Sequence, residues 1–424
     1  MPKDMSVPLD NMQYILDGGA LLHRIPWQRG TTYDDICQHY CRYVSCHYGM
    51  PTIVFDGYQD GPSTKDAAHR RRAGVCVGTT IHMSGSMVFK GKKEDVLSNK
   101  MNKHRFIRLL RDHLERQGCN TVQARADADL LIVQTALAAA ECTQRPTILV
   151  GDDTDLLVLL CFHSNTTHTL TGNLYLRPEP KHGSKRPPRC WNIAVLKLVL
   201  GPEVTNGILF IHALLGCDTT SSVHGLGKGS SLKLISADSA FQGHAQVFTN
   251  PESTRGDIIV AGEAALSSLY KAPPGVSLDL LRLQHFHQKV IISKSFVDPQ
   301  VLPPTSAATK FHSLRTYFQV QQWMGLDINL QPEEWGWKID GGQYFPIMTD
   351  IEVAPVQLLE MVRCNCQTDC STRRCSCRKH NMECSSACGQ CRGVCSNATS
   401  QVDSGDVDTC STNPDSVEVV DEIE

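Results

Sequence analysis

The feature that most limits the possible folds of this chain is a set of short apolar runs, each followed by aspartate. The runs are residues 14–16, 52–55 and 147–150, and the acids that follow them are Asp17, Asp56 and the group Asp152, Asp153 and Asp155. Segments with helical periodicity, such as residues 105–116 and 129–140, separate the runs. This alternation predicts an α/β domain with a largely parallel sheet.

These acids are expected to converge, because ligands of open α/β sheets bind outside the carboxyl ends of the strands. Asp127 and Asp129 open a helix that begins DADLL, and Asp218 follows the apolar segment ILFIHALLGCD. Any one of them alone is better explained as a helix cap or a solvated turn residue. As a set without obvious charge partners they would repel one another, which bound divalent cations relieve. Oxygen ligands favour Mg²⁺ or Mn²⁺, and two such ions about 3.5–4 Å apart suit phosphodiester hydrolysis.

The order of these motifs resembles the flap endonuclease superfamily (XPG-like, PIN-like) over residues 12 to 235: DGG, VFDG, an acidic pair, GDDTD, and LLGCD followed by a glycine turn. The resemblance implies an α/β, PIN-like core with a mostly parallel sheet and a helix-two-turn-helix, and a nuclease that uses two Mg²⁺ or Mn²⁺ ions. By resemblance the metal ligands are Asp17, Asp56, Asp127, Asp129, Asp153, Asp155 and Asp218. The acidic pair is Asp-x-Asp here, whereas the family has Glu-x-Glu.

The glycine turn and a basic segment are the expected contacts with the nucleic-acid backbone. Gly225-Leu226-Gly227 followed by Lys228 predicts a tight turn between two short helices, with N–H groups facing a phosphate. A plain helix–helix turn is the alternative. By resemblance, Lys65 and Arg70 of PSTKDAAHRRR stabilise the scissile phosphate. The basic run at residues 90–111 fits either an arch over single-stranded DNA or a solvated helix face.

A dense cysteine cluster lies near the C-terminus. Nine of the 19 cysteines fall within residues 364–395: Cys364, Cys366, Cys370, Cys375, Cys377, Cys384, Cys388, Cys391 and Cys395. So few apolar residues accompany them that the segment needs covalent or metal links to fold. An odd number makes a purely disulfide framework awkward, whereas shared thiolates can hold several tetrahedral zinc ions.

The cysteine pattern resembles the CXC module of tesmin-like proteins, which implies about three zinc ions. Arg373, Arg374, Arg378 and Lys379 lie between the cysteines and predict contact with DNA. Arg374 stands where that family often has tyrosine. The alternative is a zinc cluster that is only structural or that binds protein.

The chain as a whole is expected to have four parts: a nuclease domain at residues 1–250, a mainly helical continuation at 251–360, the zinc module at 361–396 and a disordered acidic tail at 397–424. A net charge of −3 means that DNA binding must come from local patches. The start lacks the pattern of a secretory signal, and we see no membrane-spanning run of 18 apolar residues. We expect an intracellular, nuclear protein. The segment KHGSKRPP at 181–188 is better explained as a solvated polar loop, and a weak nuclear-localisation signal is the alternative.

These expectations combine into a structure-specific nuclease that cuts DNA and is recruited to it by the zinc module. Branched DNA or single-strand/duplex junctions are the expected substrates, and RNA is the alternative. The competing hypothesis is a nuclease fold without activity that serves as a scaffold on DNA or chromatin. All the matched metal positions are acidic, which favours activity.

Overall fold

The computed structural model describes residues 11–57, 61–65, 78–143, 145–164, 173–178, 189–292, 299–326, 329–351, 363–367, 369–380, 382–385 and 388–398. By its contacts the chain divides into two units, residues 2–348 and residue 1 with residues 349–424. Arg70 and the segment 181–188 lie outside the described residues.

The described part of the first unit contains a six-stranded sheet and a two-stranded hairpin. The sheet strands are β1 (Gln13–Asp17), β2 (Thr52–Phe55), β3 (Asn120–Gln123), β4 (Thr147–Val150), β5 (Leu174–Arg177) and β6 (Trp191–Asn192), and the hairpin is β7 (Trp337–Asp340) with β8 (Gln343–Pro346). The sheet order is β3-β2-β1-β4-β5-β6, and only β6 runs antiparallel to its neighbour. The predicted α/β class with a mostly parallel sheet is confirmed.

Helices surround the sheet and continue after it. Those before the last sheet strand are α1 (Gly18–Arg24), α2 (Tyr33–Tyr48), α3 (Lys93–Ser98), α4 (Lys100–Arg116), α5 (Asp129–Thr143) and α6 (Thr154–His163). Those that follow are α7 (Ile193–Leu215), α8 (Lys228–Ala237), α9 (Ser239–Thr249), α10 (Arg255–Leu269), α11 (Leu278–Ile292) and α12 (Ser306–Met324). The second unit contributes α13 (Ser376–Lys379).

Helices cover both faces of the sheet. Successive strand residues point to opposite faces, and the residues on each face are apolar. Leu16 and Ile53 pack in one hydrophobic cluster with residues of α1, α2 and α4. Ile15 and Val54, their neighbours in sequence, pack in a second cluster with residues of α5, α6 and α7. The carboxyl ends of the strands are therefore held in fixed positions by packing from both sides.

The helices after residue 200 build a third hydrophobic cluster that shares α7 with the sheet. Helix α7 is interrupted at Gly201, where the backbone is not helical. Beyond that point Phe210 and Leu214 pack with residues of α9, α10, α11 and α12, whereas Leu209 and Ala213 pack in the cluster beneath the sheet. The expected helical continuation therefore packs in the same unit as the sheet up to residue 348, and it also contains the β7–β8 hairpin.

Helix α7 differs from expectation in one further respect. We saw no segment able to cross a membrane, but by length and composition this helix is long and apolar enough to do so. Within its most apolar stretch, 61% is buried inside the protein. Its place between two hydrophobic clusters explains that composition.

Candidate active site

The predicted acids gather where the strand order reverses. The chain places β2 and β3 on one side of β1 and then returns to place β4 on the other side, and a crevice outside the carboxyl ends forms at such a point. Leu16 is paired with Val150, so Asp17 and the acids after β4 follow adjacent strand positions. A cleft of about 480 Å³ lies here, lined by Asp17, Gly19, Ala20, His23, Arg24, Asp152, Asp153 and Thr154.

Asp17 has a structural role as well as a place in the cleft. Its Oδ1 accepts hydrogen bonds from the N–H groups of Gly19 at 2.7 Å and Ala20 at 3.2 Å, and so caps α1. A Cβ on Gly18 would lie 2.3 Å from a ring carbon of Phe55, so glycine is required for α1 to begin this close to β2. The DGG motif thus fixes the carboxylate at the carboxyl end of β1.

Asp56 lies after β2 and beside the loop that leads to α5. The N–H of Gly57 donates to the carbonyl of Ala126 at 2.7 Å, and a Cβ there would lie 2.1 Å from the carbonyl oxygen of Ala124. Glycine therefore lets the two loops touch, which brings Asp56 near the acidic pair. Lys103 of α4 places its Nζ 3.4 Å from Asp56 Oδ2.

Lys65 lies between the two acids at the start of α5. Its Nζ is 2.6 Å from Asp127 Oδ1 and 2.7 Å from Asp129 Oδ2. Burial alone would lower the pKa of Lys65, but the two carboxylates outweigh burial and raise it. The expectation of acids without charge partners was wrong for this pair, because the ammonium of a lysine distant in sequence offsets part of their charge.

The acids of the cleft are close enough to affect one another's ionisation. Burial raises the pKa of Asp17 to about 6, and the charges of Asp56 and Asp153 contribute in the same direction. Burial likewise raises the pKa of Asp153, with further contributions from the charges of Asp155 and Asp218. The structure therefore brings the strand-end acids and the acid after α7 into one electrostatic group, which favours bound cations.

Asp155 differs from its neighbours because a histidine bonds to it. His212 of α7 places Nε2 2.6 Å from Asp155 Oδ1, and its Nδ1 lies 2.8 Å from Lys228 Nζ. Burial would raise the pKa of Asp155, but the hydrogen bond and the nearby positive groups lower it instead. The ammonium of Lys228, predicted to contact a phosphate, therefore contacts a buried histidine instead.

The glycine turn is not a tight connection between two short helices. The preceding helix α7 has 23 residues and ends at Leu215, and α8 begins only at Lys228. Asp218 and the glycines share the loop between them, because Gly216 with φ 114° ends α7 well before the turn. Gly225 has φ 75° and is exposed, and Gly227 is also exposed. Their backbone N–H groups stay candidates for phosphate contact.

The basic run at residues 90–111 packs against the core as α3 and α4. Phe106 and Leu110 are buried, and Lys93 Nζ donates to the carbonyl of Ile25 at 2.8 Å. Burial lowers the pKa of Lys93 to about 8. The run therefore forms helices that pack one face on the core, and an arch over single-stranded DNA stays a prediction.

Three nitrogen-bearing side chains of the site were not predicted from the sequence. Two are cations, Lys103 near Asp56 and Arg24, whose Nη2 lies 2.5 Å from Asp152 Oδ2, and the third is the imidazole of His212 near Asp155. The partners are separated by 47, 128 and 57 residues respectively. Local spacing carries no signal of such contacts.

The donor chemistry of the cleft fits divalent cations. Its ligands are carboxylate oxygens, which Mg²⁺ and Mn²⁺ prefer. Of the acids, Asp17, Asp152 and Asp153 line the cleft. Among the described residues, only cysteines form sets of three or more whose ligand atoms all lie within 4.8 Å of one another. Asp17, Asp56, Asp127, Asp129, Asp153, Asp155 and Asp218 are the residues that would hold the ions.

The C-terminal cysteines form a second candidate metal site. All nine are free thiols, and Cys364 Sγ lies 3.7 to 3.8 Å from the Sγ atoms of Cys370, Cys384 and Cys391. Zinc–sulfur bonds of about 2.3 Å in a tetrahedron place sulfurs about 3.8 Å apart. Three sets of four cysteines have all sulfurs within 4.8 Å of one another, and Cys364 belongs to each. The segment therefore fits shared zinc ligation.

The basic residues of this module divide into two kinds. Arg373, Arg374 and Lys379 are exposed. Arg378 is only partly exposed, and it donates from Nε to the carbonyl of Cys370 at 2.9 Å and from Nη2 to that of Ser396 at 3.2 Å. The predicted DNA contact of Arg378 therefore competes with a bond that joins the two ends of the module.

Comparison with known proteins gives similar structures but no similar sequences. No protein-family model and no curated protein matches the chain. The catalytic core of Rad2 in complex with DNA substrate is 15% identical, with 73% of this chain and 78% of that chain covered and a TM-score of 0.37. The bacteriophage T5 D15 protein with metal ions is 13% identical, with 75% and 100% covered and a TM-score of 0.35.

A eukaryotic junction-resolving enzyme, GEN-1, is 15% identical, with 74% of this chain and 60% of that chain covered and a TM-score of 0.35. The structures similar to this chain are flap endonucleases and related enzymes.

Proposed function

We propose that this protein is a divalent-metal-dependent nuclease that hydrolyses phosphodiester bonds in DNA. The observation that carries the proposal is a group of aspartates near the strand-order reversal, drawn from β1, β2, β4, the start of α5 and the loop after α7, whose charges act on one another. Such a group is unfavourable without cations, as the raised pKa values of Asp17 and Asp153 reflect. When bound, two ions activate water and stabilise the leaving oxygen.

The chain's own residues have distinct tasks in this proposal. The aspartates hold the ions on the rigid carboxyl end of the sheet, where packing on both faces fixes their positions. Lys65 is the cation that would offset charge developing on the scissile phosphate. The exposed backbone around Gly225 and Gly227 would grip the phosphates of a duplex.

The zinc module is proposed to keep the enzyme on DNA. Arg373, Arg374 and Lys379 expose positive charge on a frame that three zinc ions would hold rigid. We propose branched DNA or single-strand/duplex junctions as substrates, and a nuclear location.

One observation favours the competing hypothesis of an inactive scaffold. The ammonium of Lys65 satisfies Asp127 and Asp129 together, at 2.6 and 2.7 Å, without a metal ion. A scaffold would bind the same DNA without cutting it.

The deciding experiment is purified full-length protein with Mg²⁺ on labelled branched, single-stranded and duplex DNA and RNA. Asp153→Asn is the matched variant, because asparagine can still cap α6 while losing the charge. Cleavage should fall by a factor of about 10² or more with DNA binding retained. Binding by the wild type without cleavage of any substrate would support the scaffold, and equal cleavage by the variant would exclude Asp153 as a ligand.

A further inference from the structure

Three polar side chains form a chain of contacts from the cleft into the helical layer. Asp155 of α6 contacts His212 of α7 at 2.6 Å, and His212 contacts Lys228 of α8 at 2.8 Å. The side chains of His212 and Asp155 are only 5% and 10% exposed. Three separate helices thus supply one row of hydrogen bonds, which is buried at Asp155 and His212 and partly exposed at Lys228.

The direction of these hydrogen bonds follows from the chemistry of the groups. An ammonium has only donors, so Lys228 donates to Nδ1 of His212. The imidazole proton must then be on Nε2, which donates it to Oδ1 of Asp155. In this arrangement His212 presents a donor to the carboxylate through Nε2.

His212 differs from two other histidines in the partners of its ring nitrogens. His312 and His163 each direct a ring nitrogen to a main-chain carbonyl at 2.7 Å, those of Leu214 and Trp323. His212 instead uses both ring nitrogens on ionisable side chains. Packing alone does not require a histidine that bonds to a carboxylate through one ring nitrogen and to a lysine through the other.

We propose that His212 is a positioning residue of the metal site, which engages Oδ1 of Asp155 and so leaves Oδ2 to the cation. Lys228 acts through His212 by fixing its tautomer, rather than by contacting DNA. Partners of metal ligands commonly orient the ligand in this way, and their loss lowers metal affinity by about 10–100-fold. This inference rests on the proposed function, because it takes Asp155 as a ligand.

The test measures Mn²⁺ affinity of the full-length protein by calorimetry, with Asp153→Asn as the blank for ions bound elsewhere. His212→Phe removes the donor but keeps a ring, and should weaken Mn²⁺ binding by about 10–100-fold. His212→Gln keeps a donor near the position of Nε2 and should restore most of the affinity. Equal losses in both variants, or no loss in His212→Phe, would overturn the proposal.

Lys228→Met separates the two roles of the lysine. We expect it to weaken Mn²⁺ binding several-fold while the salt dependence of DNA binding stays as in the wild type. It should add nothing to His212→Phe, because the two residues act in series. Lys233→Met, an exposed position of the same helix α8, is the matched control and should bind Mn²⁺ like the wild type.

A reduced salt slope for Lys228→Met with normal Mn²⁺ affinity would instead make it a phosphate contact and overturn its assigned role. Metal affinity and cleavage are separate readouts. If the wild type binds Mn²⁺ but cuts no DNA, the proposed nuclease activity is wrong. The role of His212 would still be tested by the Mn²⁺ affinities of its variants.

Discussion

Replacing Lys65 by methionine should destabilise the protein and at the same time improve metal binding. The change removes the ammonium that lies 2.6 Å from Asp127 and 2.7 Å from Asp129. Two neighbouring carboxylates then face each other without compensation. A divalent ion, however, no longer has to displace the ammonium from them.

The magnitude follows from how exposed the groups are. Charges about 4 Å apart attract by about 4 kcal/mol at an effective dielectric constant of 20. The side chain of Asp127 is 40% exposed, so its pair contributes about 1 kcal/mol at most. Asp129 and Lys65 are 14% and 16% exposed, and loss of one partner of a buried pair costs about 3 kcal/mol or more. We expect the free energy of unfolding to fall by about 3 kcal/mol.

Urea unfolding followed by tryptophan fluorescence measures this loss. All five tryptophans lie between residues 27 and 337, so the signal reports on the first unit and not on the cysteine module. Added Mn²⁺ should recover stability in Lys65→Met more than in the wild type, because tighter binding shifts unfolding further. The double variant Lys65→Met with Asp129→Asn should also recover most of the loss.

An exposed lysine provides the control for this experiment. Lys90→Met removes the same charge at the surface and should change stability by less than about 0.5 kcal/mol. If Lys65→Met were as stable as Lys90→Met, the ion pair would not have the strength that its geometry implies. If stability fell but Mn²⁺ recovered no more of it than in the wild type, the lysine and the metal would not compete.

Three further predictions concern the cleft and the cysteine module. The pKa of Asp17 is raised to about 6 from 3.8, so its ionised form destabilises the folded protein above pH 6, and that cost disappears as pH falls to 4. Asp17→Asn, which keeps the helix cap, should therefore raise the melting temperature at pH 8 without added divalent ions and lose this gain at pH 4. Elemental analysis should find about three zinc ions per full-length chain, and their removal should unfold the cysteine module as followed by circular dichroism. Arg373→Ala with Arg374→Ala should weaken DNA binding and its salt dependence at unchanged zinc content, whereas Arg378→Ala should make zinc easier to remove, as measured with a chelator dye.

The strands and acids at the centre of the sheet could be predicted from sequence because their signals are local. Each of β1, β2 and β4 contains a short apolar run, and an aspartate lies at or just after the end of each strand. The edge strand β3 was missed because its residues are exposed or half-buried and carry no apolar run. The β7–β8 hairpin was missed for a similar reason, since Lys338 to Asp340 are exposed.

The ligand candidates were predictable, whereas their partners were not. The acidic motifs can be recognised in the sequence because they follow predicted strands or begin a predicted helix. Lys103 and His212 contact Asp56 and Asp155 from helices whose sequences show only ordinary amphipathic or apolar composition. The inward direction of Lys228 depends on how α7 and α8 pack, which no spacing along the chain encodes.

The shared use of α7 and α12 has a consequence for how the molecule could be shortened or rearranged. Val320 and Trp323 of α12 complete the cluster beneath the sheet, while Leu314 and Phe318 of the same helix belong to the helical cluster. A fragment ending at residue 250 would leave apolar faces of α7 open to water and should aggregate. The sheet and the later helices should therefore fold only together. A stable fragment, whether made by proteolysis or by recombination, should end near residue 348.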